Sequence, residues 1–232
     1  MRSPFKKGVV DGIAIALGYF SVSFGFGVMA VKAGLSVLSA VGISLTNLTS
    51  AGQAAGVTVI AAGGTLVEMI LTQFVINLRY SLMGFSLSQK LDNTFNTPRR
   101  LLVSFGITDE IFAVASASKE KLTAKYMYGL IALPIVGWTA GTLFGSVAGA
   151  VLPSYISDVL GILLYGMFIA IVVPPAKKDN KILFAVLLSI TFSLLIKYVF
   201  TFISSGFAVI ISAVLASVIT ALFFPVKEEA EQ

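Results

Sequence analysis

The chain has 232 residues, of which 57% are hydrophobic and 12% are charged, whereas soluble domains carry about 25% charged residues. So few charges cannot cover a globule that faces water, so the composition predicts a polytopic membrane protein in contact with the lipid bilayer. The sequence has neither cysteine nor histidine, which removes disulfides, thiolate zinc sites and the commonest general base. We therefore expect no enzyme, no cofactor and no metal site, and the net charge of +5 does not indicate nucleic acid.

Six apolar stretches predict membrane-spanning helices packed as one all-α bundle. Each is close to the ~20 residues that a helix needs to cross the hydrocarbon layer. We assign 1–8 to a cytoplasmic N-terminus, 9–225 to a single transmembrane domain and 226–232 to a disordered polar tail. The basic N-terminus resembles a signal peptide, but the apolar stretch behind it is interpreted as a retained span. The predicted spans are 9–31, 65–87, 126–152, 155–173, 182–200 and 202–224.

Two further apolar stretches are interrupted by polar and glycine residues. The stretch 36–62 is broken at 46–53, and the stretch 98–118 is broken at 106–110. Backbone that leaves the helical hydrogen-bond pattern at membrane depth is tolerated only where it is buried in protein or lines a wet cavity. We therefore predict two broken or re-entrant helical segments beside the six spans.

The distribution of basic residues predicts the orientation. If the six spans cross and the broken segments turn back, with a cytoplasmic N-terminus, only Lys32 and Lys197 lie outside, and Arg79 lies within a span. This is the positive charge excess expected on the cytoplasmic side, and it places the C-terminus there as well. If only the first broken segment crossed, Lys90 and the arginine pair at 99–100 would lie outside and the asymmetry would weaken.

Glycines recur at small-xxx-small spacing and form a continuous i, i+4 ridge in the third predicted span, which allows a second helix to approach closely. The ridge is interpreted either as helix packing inside the subunit or as a docking or sliding surface. The stretch 18–42 also resembles 137–161, which indicates a weak internal repeat with an offset near 119 residues, although chance recurrence of glycine explains it equally well. The ridge consists of Gly137, Gly141, Gly145 and Gly149.

The second predicted span carries several polar side chains. Gln73 and Asn77 share one face by their i+4 spacing, whereas Arg79 points to a different side. An arginine near the bilayer centre is costly unless it is paired or hydrated, and Asp109 and Glu110 in the second broken segment are the candidate partners. The arrangement is interpreted either as a fixed ion pair between two helices or as a contact to a substrate carboxylate or a gate.

Asp109 and Glu110 are also the candidate proton carriers in a chain without histidine. Adjacent carboxylates at membrane depth repel each other, so one is expected to be protonated or paired with a cation. Thr108 is expected to cap a short helix whose first turn holds both acids. Capping at a shallow interface, without a role in transport, is the alternative.

The first broken segment supplies hydroxyl and amide side chains beside freed backbone groups. This combination suits a small zwitterion, as in transporters with discontinuous helices. An ordinary polar loop at the outer surface is the alternative. The polar residues are Thr46, Asn47, Thr49, Ser50 and Gln53.

Short stretches in the first half of the chain carry a family resemblance, and they are 18–20, 24–30, 34–36, 50–55, 71–72, 77–82 and 108–110. In this order and spacing they resemble the AzlC family, the larger subunit of bacterial branched-chain amino acid exporters. The second half matches in hydropathy and length alone. Two departures are visible, since Tyr80 stands where the family usually has histidine and Leu17 stands where proline often precedes the Gly-Tyr pair.

The resemblance implies a secondary exporter of leucine, isoleucine and valine, and in some members methionine, driven by the proton motive force. It also implies a heteromeric complex with a small membrane partner similar to AzlD in the cytoplasmic membrane. The sequence has no Gly-x-x-x-x-Gly-Lys-Ser/Thr motif, which agrees with a gradient-driven transporter. Tyr19 joins the candidate residues for substrate binding or coupling.

The polar candidates give a substrate hypothesis. The ammonium group of an amino acid is expected at Asp109 or Glu110, and its carboxylate at Arg79 or at half-helix amides near Gln53. Its aliphatic side chain is expected among Phe24, Phe26 and leucine residues.

Other functional classes fit the sequence less well. A channel needs polar rings along several spans, but the polar residues concentrate in one span and two breaks. An enzyme acting on lipid-linked phosphate could use Arg79 with the two acids, but histidine, cysteine and an Asp-rich motif are missing. A purely structural subunit would not explain a buried arginine with paired acids, but it stays an alternative because a partner is expected. A transporter of another small zwitterion or metabolite is the principal alternative.

Overall fold

The computed structural model describes residues 3–151, 153, 166, 169 and 172–225. These residues form the predicted all-α structure, in which the β contacts amount to one isolated bridge between Leu91 and Leu122. Residues 172–178 are helical as well. The longer helices in chain order are α1 (Pro4–Lys32), α2 (Val37–Thr46), α3 (Ser50–Ala61), α4 (Leu66–Ser88), α5 (Thr97–Phe105), α6 (Asp109–Ser116), α7 (Ala124–Val151), α8 (Asn180–Tyr198) and α9 (Ser205–Phe223).

Four helices in the described part of the chain are long and apolar enough to cross a membrane, namely α1, α7, α8 and α9. They coincide with four of the six predicted spans. Helix α4 covers the predicted span 65–87 with 23 residues, but its polar side chains make it less apolar than the other four. The predicted span 155–173 and the predicted tail 226–232 lie outside the described residues, apart from a few positions at the end of that span.

Both predicted breaks occur, and each is followed by a helix that begins at a threonine cap. Three residues separate α2 from α3, and three separate α5 from α6. The Thr49 hydroxyl accepts a hydrogen bond from the Gly52 amide at 3.0 Å, and the Thr108 hydroxyl accepts one from the Ile111 amide at 3.4 Å. Such caps satisfy amide groups that the broken helix leaves without a partner.

The contacts divide the chain into two compact units. The first comprises Met1–Val57 and Asn77–Leu164, and the second comprises Thr58–Ile76 and Tyr165–Gln232. Helix α4 contributes its first half to the second unit and its second half to the first. All residues of the two helix breaks belong to the first unit.

Helices α1 and α7 pack directly against each other and form the centre of the first unit. The glycine ridge of α7 lies on α1, because a Cβ at Gly141 or Gly145 would overlap the backbone oxygen of Phe20 or Phe24. The numbers of the contacting residues increase together along the two helices. Gly8 contacts Tyr126 where both helices begin, and Gly149 contacts Val28 near their ends. The two helices therefore run parallel. The ridge serves helix packing inside the subunit, and Gly137 makes the same kind of contact with Ala16.

Parallel packing of α1 and α7 restricts the paths that the chain can take across a membrane. If both helices cross in the same direction, the chain between them must cross an odd number of times. If α4 crosses, then either it crosses alone or both broken segments cross with it. A topology in which α4 and only one broken segment cross is incompatible with this packing.

The second unit contains α8 packed on α9. The Phe184 ring lies 5.8 Å from the Phe223 ring, near the end of α9. At the beginning of α9, Glu68 Oε1 accepts hydrogen bonds from the Gly206 amide at 2.8 Å and the Ser204 hydroxyl at 2.5 Å. A carboxylate is favourable there because the first amides of a helix carry partial positive charge.

Candidate functional site

An ion pair joins α4 to the first turn of α6. Arg79 Nη1 lies 2.6 Å from Asp109 Oδ2, and the two side chains are 41% and 40% exposed. The guanidinium also lies over the Tyr80 ring, 5.1 Å from its centroid, and donates to the Tyr80 hydroxyl at 3.5 Å. Of the two acids that the sequence offered as partners, Arg79 therefore contacts Asp109. Both charged groups are partly exposed rather than enclosed by the surrounding helices.

The second acid is held by a different helix. The Tyr19 hydroxyl, from the middle of α1, donates to Glu110 Oε2 at 2.5 Å and is also hydrogen-bonded to the Thr108 hydroxyl. Thr108 caps α6 as predicted. The first turn of α6 is thus fastened to α4 through Asp109 and to α1 through Glu110. Separate partners reduce the repulsion that two adjacent carboxylates would otherwise experience.

A cavity of about 250 Å³ brings the two helix breaks together beside this ion pair. One wall comes from the break between α2 and α3, the opposite wall from the break between α5 and α6, and α4 supplies Asn77 and Tyr80. Tyr80 also contacts Arg79, so the ion pair adjoins the cavity. Broken backbone that lines a cavity is the arrangement that membrane proteins tolerate. The lining residues are Thr46, Asn47, Leu48, Thr49, Asn77, Tyr80, Ser104, Phe105 and Ile107.

Gln53 lies in a buried polar network behind the first break. Its Oε1 accepts a hydrogen bond from Trp138 Nε1 at 2.8 Å, and its Nε2 donates to Ser44 Oγ at 2.9 Å. The Ser44 hydroxyl is in turn 2.7 Å from the Thr142 hydroxyl. With 1% of its surface exposed, Gln53 fixes α2 and α3 to α7 rather than facing the cavity.

Trp138 is the residue that sequence reasoning missed. Its ring packs edge-on against Tyr19 with centroids 5.3 Å apart, so it connects the Gln53 network to the residue that binds Glu110. A signal was available, because the sequence has one tryptophan and it lies in the middle of an apolar span. An indole N–H at that depth requires an acceptor.

Two sets of candidate residues are not part of the cavity lining. The apolar lining of the cavity consists of Leu48, Phe105 and Ile107, and neither Phe24 nor Phe26 is among the lining residues. Phe26 is fully buried in a helix-packing cluster with Ala30, Ala40 and Val57, so it has no free surface for a ligand. Gln73 belongs to the second unit, and its amide donates to the Met69 sulfur at 3.8 Å.

The described residues contain no group of three acidic, histidine or cysteine side chains that could hold a metal ion. The charged groups of the site are one guanidinium and two carboxylates. Such groups can bind ammonium and carboxylate ligands and can carry a proton.

Comparison with known proteins identifies the family. The family model described as AzlC protein matches residues 14–152, which is more than half of the chain. The chain belongs to the AzlC family. The matched range contains the cavity, the Arg79–Asp109 pair, the Tyr19–Glu110 hydrogen bond and the glycine ridge.

Several curated proteins are similar over most of the chain. The inner membrane protein YgaZ of Escherichia coli K12 is 28% identical over 185 residues, covering 77% of this chain and 76% of YgaZ. An uncharacterized membrane protein of Archaeoglobus fulgidus is 31% identical over 175 residues, covering 75% and 76% of the two chains. No solved structure matches this chain. The family, these relatives and the four apolar helices identify a membrane protein, and they support a membrane transporter or permease.

Proposed function

We propose that this AzlC protein is the large subunit of a two-component permease that exports branched-chain amino acids. The observation that carries the proposal is the cavity between the two helix breaks with the partly exposed Arg79–Asp109 pair beside it. We further propose that the protein lies in the cytoplasmic membrane with both termini inside, as the distribution of its basic residues favours.

The ion pair is complementary to the charges of an amino acid. A guanidinium binds a carboxylate through two parallel hydrogen bonds, so Arg79 would take the substrate carboxylate. Asp109 would take the ammonium group. Binding then exchanges one internal ion pair for two pairs with the substrate, which leaves no charge without a partner inside the membrane.

The cavity fits a small aliphatic side chain. Its volume of about 250 Å³ is below the roughly 300–1,000 Å³ of pockets for drug-sized ligands. Leu48, Phe105 and Ile107 supply apolar surface, while the amides of Asn47 and Asn77 can fix the polar end of a ligand. A larger or strongly polar solute would bury unpaired groups against these walls.

Proton coupling would act on the first turn of α6. Protonation of Asp109 removes the charge that holds Arg79, and protonation of Glu110 weakens the hydrogen bond that it accepts from Tyr19. Either event loosens α6 from one neighbouring helix, which provides a two-state element that a proton gradient can bias. A small AzlD-like partner is part of the proposal on the strength of family membership.

The test is efflux of preloaded labelled leucine from cells that express this chain with an AzlD-like partner. We expect efflux to require both subunits and to stop when an uncoupler collapses the proton gradient. Arg79→Ala and Asp109→Asn should each lower the rate at subsaturating leucine by roughly tenfold to a hundredfold, the effect of removing a hydrogen bond to a charged group. Arg100→Ala and Glu120→Gln are matched controls, because both residues are exposed and lie outside the cavity lining.

Three outcomes would contradict parts of the proposal. Leucine efflux unchanged by expression of the complex would refute the substrate and lead to a screen of other small zwitterions. Efflux that both site variants retain would refute the site but not the transporter. Efflux that continues at full rate after the proton gradient is collapsed would refute the coupling.

A further inference from the structure

A second cavity, of about 400 Å³, lies where α1 and α7 begin. Because these two candidate spans run parallel, their first turns belong to the same end of the helix pair and thus to one membrane surface. Lys7 of α1 lines the cavity on one side, and Lys121 with Thr123 lines it from the segment before α7. The proposed transport function uses none of these residues.

Hydrogen bonds with Lys90 and Asp92 hold the segment between α6 and α7, which forms one wall of the cavity. Lys90 donates from its ammonium group to the backbone oxygens of Ser116 and Ser118. The Leu122 amide donates to the Lys90 oxygen at 2.8 Å, and the Leu122 oxygen accepts from the Asp92 amide at 3.0 Å. Because the backbone of this wall is held in this way, binding would have to order only its side chains.

The surroundings of the cavity are cationic. The lining residues include two lysines, Lys7 and Lys121, and one carboxylate, Glu120. Asp11 adds a second carboxylate in a smaller adjoining cavity that Lys7 also lines, and its Oδ2 accepts a hydrogen bond from the Tyr126 hydroxyl at 2.9 Å. Exposed lysines at positions 6, 119 and 125 increase the positive charge of this end.

Apolar side chains are exposed in the same turns of α1, outside the lining of the cavity. In its first three turns α1 exposes Phe5, Val10 and Ile13, each between 44% and 46%. The acyl chains of a lipid pack against apolar side chains, whereas a soluble anion makes no favourable contact with them. Basic pockets beside membrane helices at the bilayer surface are suited to lipid headgroups.

We propose that this cavity is a binding site for the phosphodiester headgroup of an anionic phospholipid, with Lys7 and Lys121 as its charged contacts. The two ammonium groups approach the phosphate from α1 and from the segment before α7, so the bound lipid would link the two elements. General attraction of positive charge to an anionic membrane surface is a different explanation. It depends on the number of lysines and not on which of them line the cavity.

Neighbouring lysines separate these explanations. Lys6 and Lys125 carry the same charge at the same end of the helices but do not line the cavity. The full chain, purified in a neutral detergent, is titrated with dioleoyl phosphatidylglycerol, and bound lipid is counted by native mass spectrometry. We expect Lys7→Ala and Lys121→Ala to weaken binding about fivefold each and the double variant about twenty-five-fold. Lys6→Ala and Lys125→Ala should change binding less than about twofold.

Two results would overturn the proposal. The first is an equal loss of binding in all four single variants, which indicates diffuse attraction. The second is equally tight binding of dioleoyl phosphatidylcholine, whose headgroup has the same phosphodiester but no net charge. If an alanine variant elutes as an aggregate, Lys7→Gln and Lys121→Gln replace it, and Lys7→Arg should retain binding. Because no step measures transport, the result is independent of the function proposed above.

Discussion

The substitution Gly145→Ala, which adds one methyl group, tests the parallel packing of α1 and α7. A Cβ at this position would overlap the backbone oxygen of Phe24 and lie 2.8 Å from the Phe24 Cα. Backbone atoms of a helix cannot rotate away, so the two helices would have to separate. Gly18 provides the matched control, because a Cβ there meets no described atom within 4 Å and both glycines lie in helix interiors.

The size of the effect follows from two opposing terms. Alanine in place of glycine in a helix interior stabilises by about 0.5–1 kcal/mol. Forcing an extra carbon into a well-packed interface costs about 1–3 kcal/mol. Gly18→Ala should therefore raise the free energy of unfolding slightly, while Gly145→Ala should lower it. The difference between the two variants is the packing term, about 1–3 kcal/mol.

The assay is reversible unfolding of the purified chain in mixed micelles, with denaturing detergent added stepwise and helicity followed by circular dichroism. Gly137→Ala supplies a second position on the same ridge, since its Cβ would overlap the Ala16 oxygen. If Gly145→Ala and Gly137→Ala are both as stable as Gly18→Ala, this register of α1 against α7 is wrong.

Three further predictions concern buried or partly buried polar contacts. Trp138→Phe should lower the free energy of unfolding by about 1–3 kcal/mol because Gln53 Oε1 loses its donor, and adding Gln53→Leu should recover part of that loss in the same unfolding assay. Glu68→Gln should speed hydrogen exchange of the first amides of α9, since the charged acceptor at that helix start is replaced by a neutral one, whereas exchange in α7 should not change. Lys90→Met should release the segment 116–118, so trypsin should cleave after Lys121 faster than in the unchanged protein, with Lys125→Met as the control for altered trypsin sites.

Composition and local spacing were sufficient for the class of fold and for several local features. An apolar, charge-poor chain can satisfy its backbone in lipid only by forming helices or a closed barrel. The two breaks, the Thr108 cap and the small-residue ridge depend on residues within one or two turns of each other. They were therefore readable from i, i+3 and i+4 spacing.

The same reasoning reduces the candidate partners of Arg79 to two acids, but it does not decide between them. An arginine at membrane depth demands an acid, and the broken segment offers two in adjacent positions. Adjacent residues on a helix point about 100° apart, so the direction of α6 relative to α4 decides between them. The tertiary structure directs Asp109 to Arg79 and Glu110 to Tyr19 of α1.

In a helix of a water-soluble protein, the apolar face is the side that packs against the protein core. In a membrane helix the lipid-facing side is apolar too, so periodicity does not reveal which neighbour a face will meet. The sequence by itself therefore determined the helices, their breaks and the polar residues that require partners. Only the tertiary structure decided that α1 and α7 run parallel, that Trp138 satisfies Gln53, and that the two breaks line one cavity. These contacts depend on how distant helices are oriented in space.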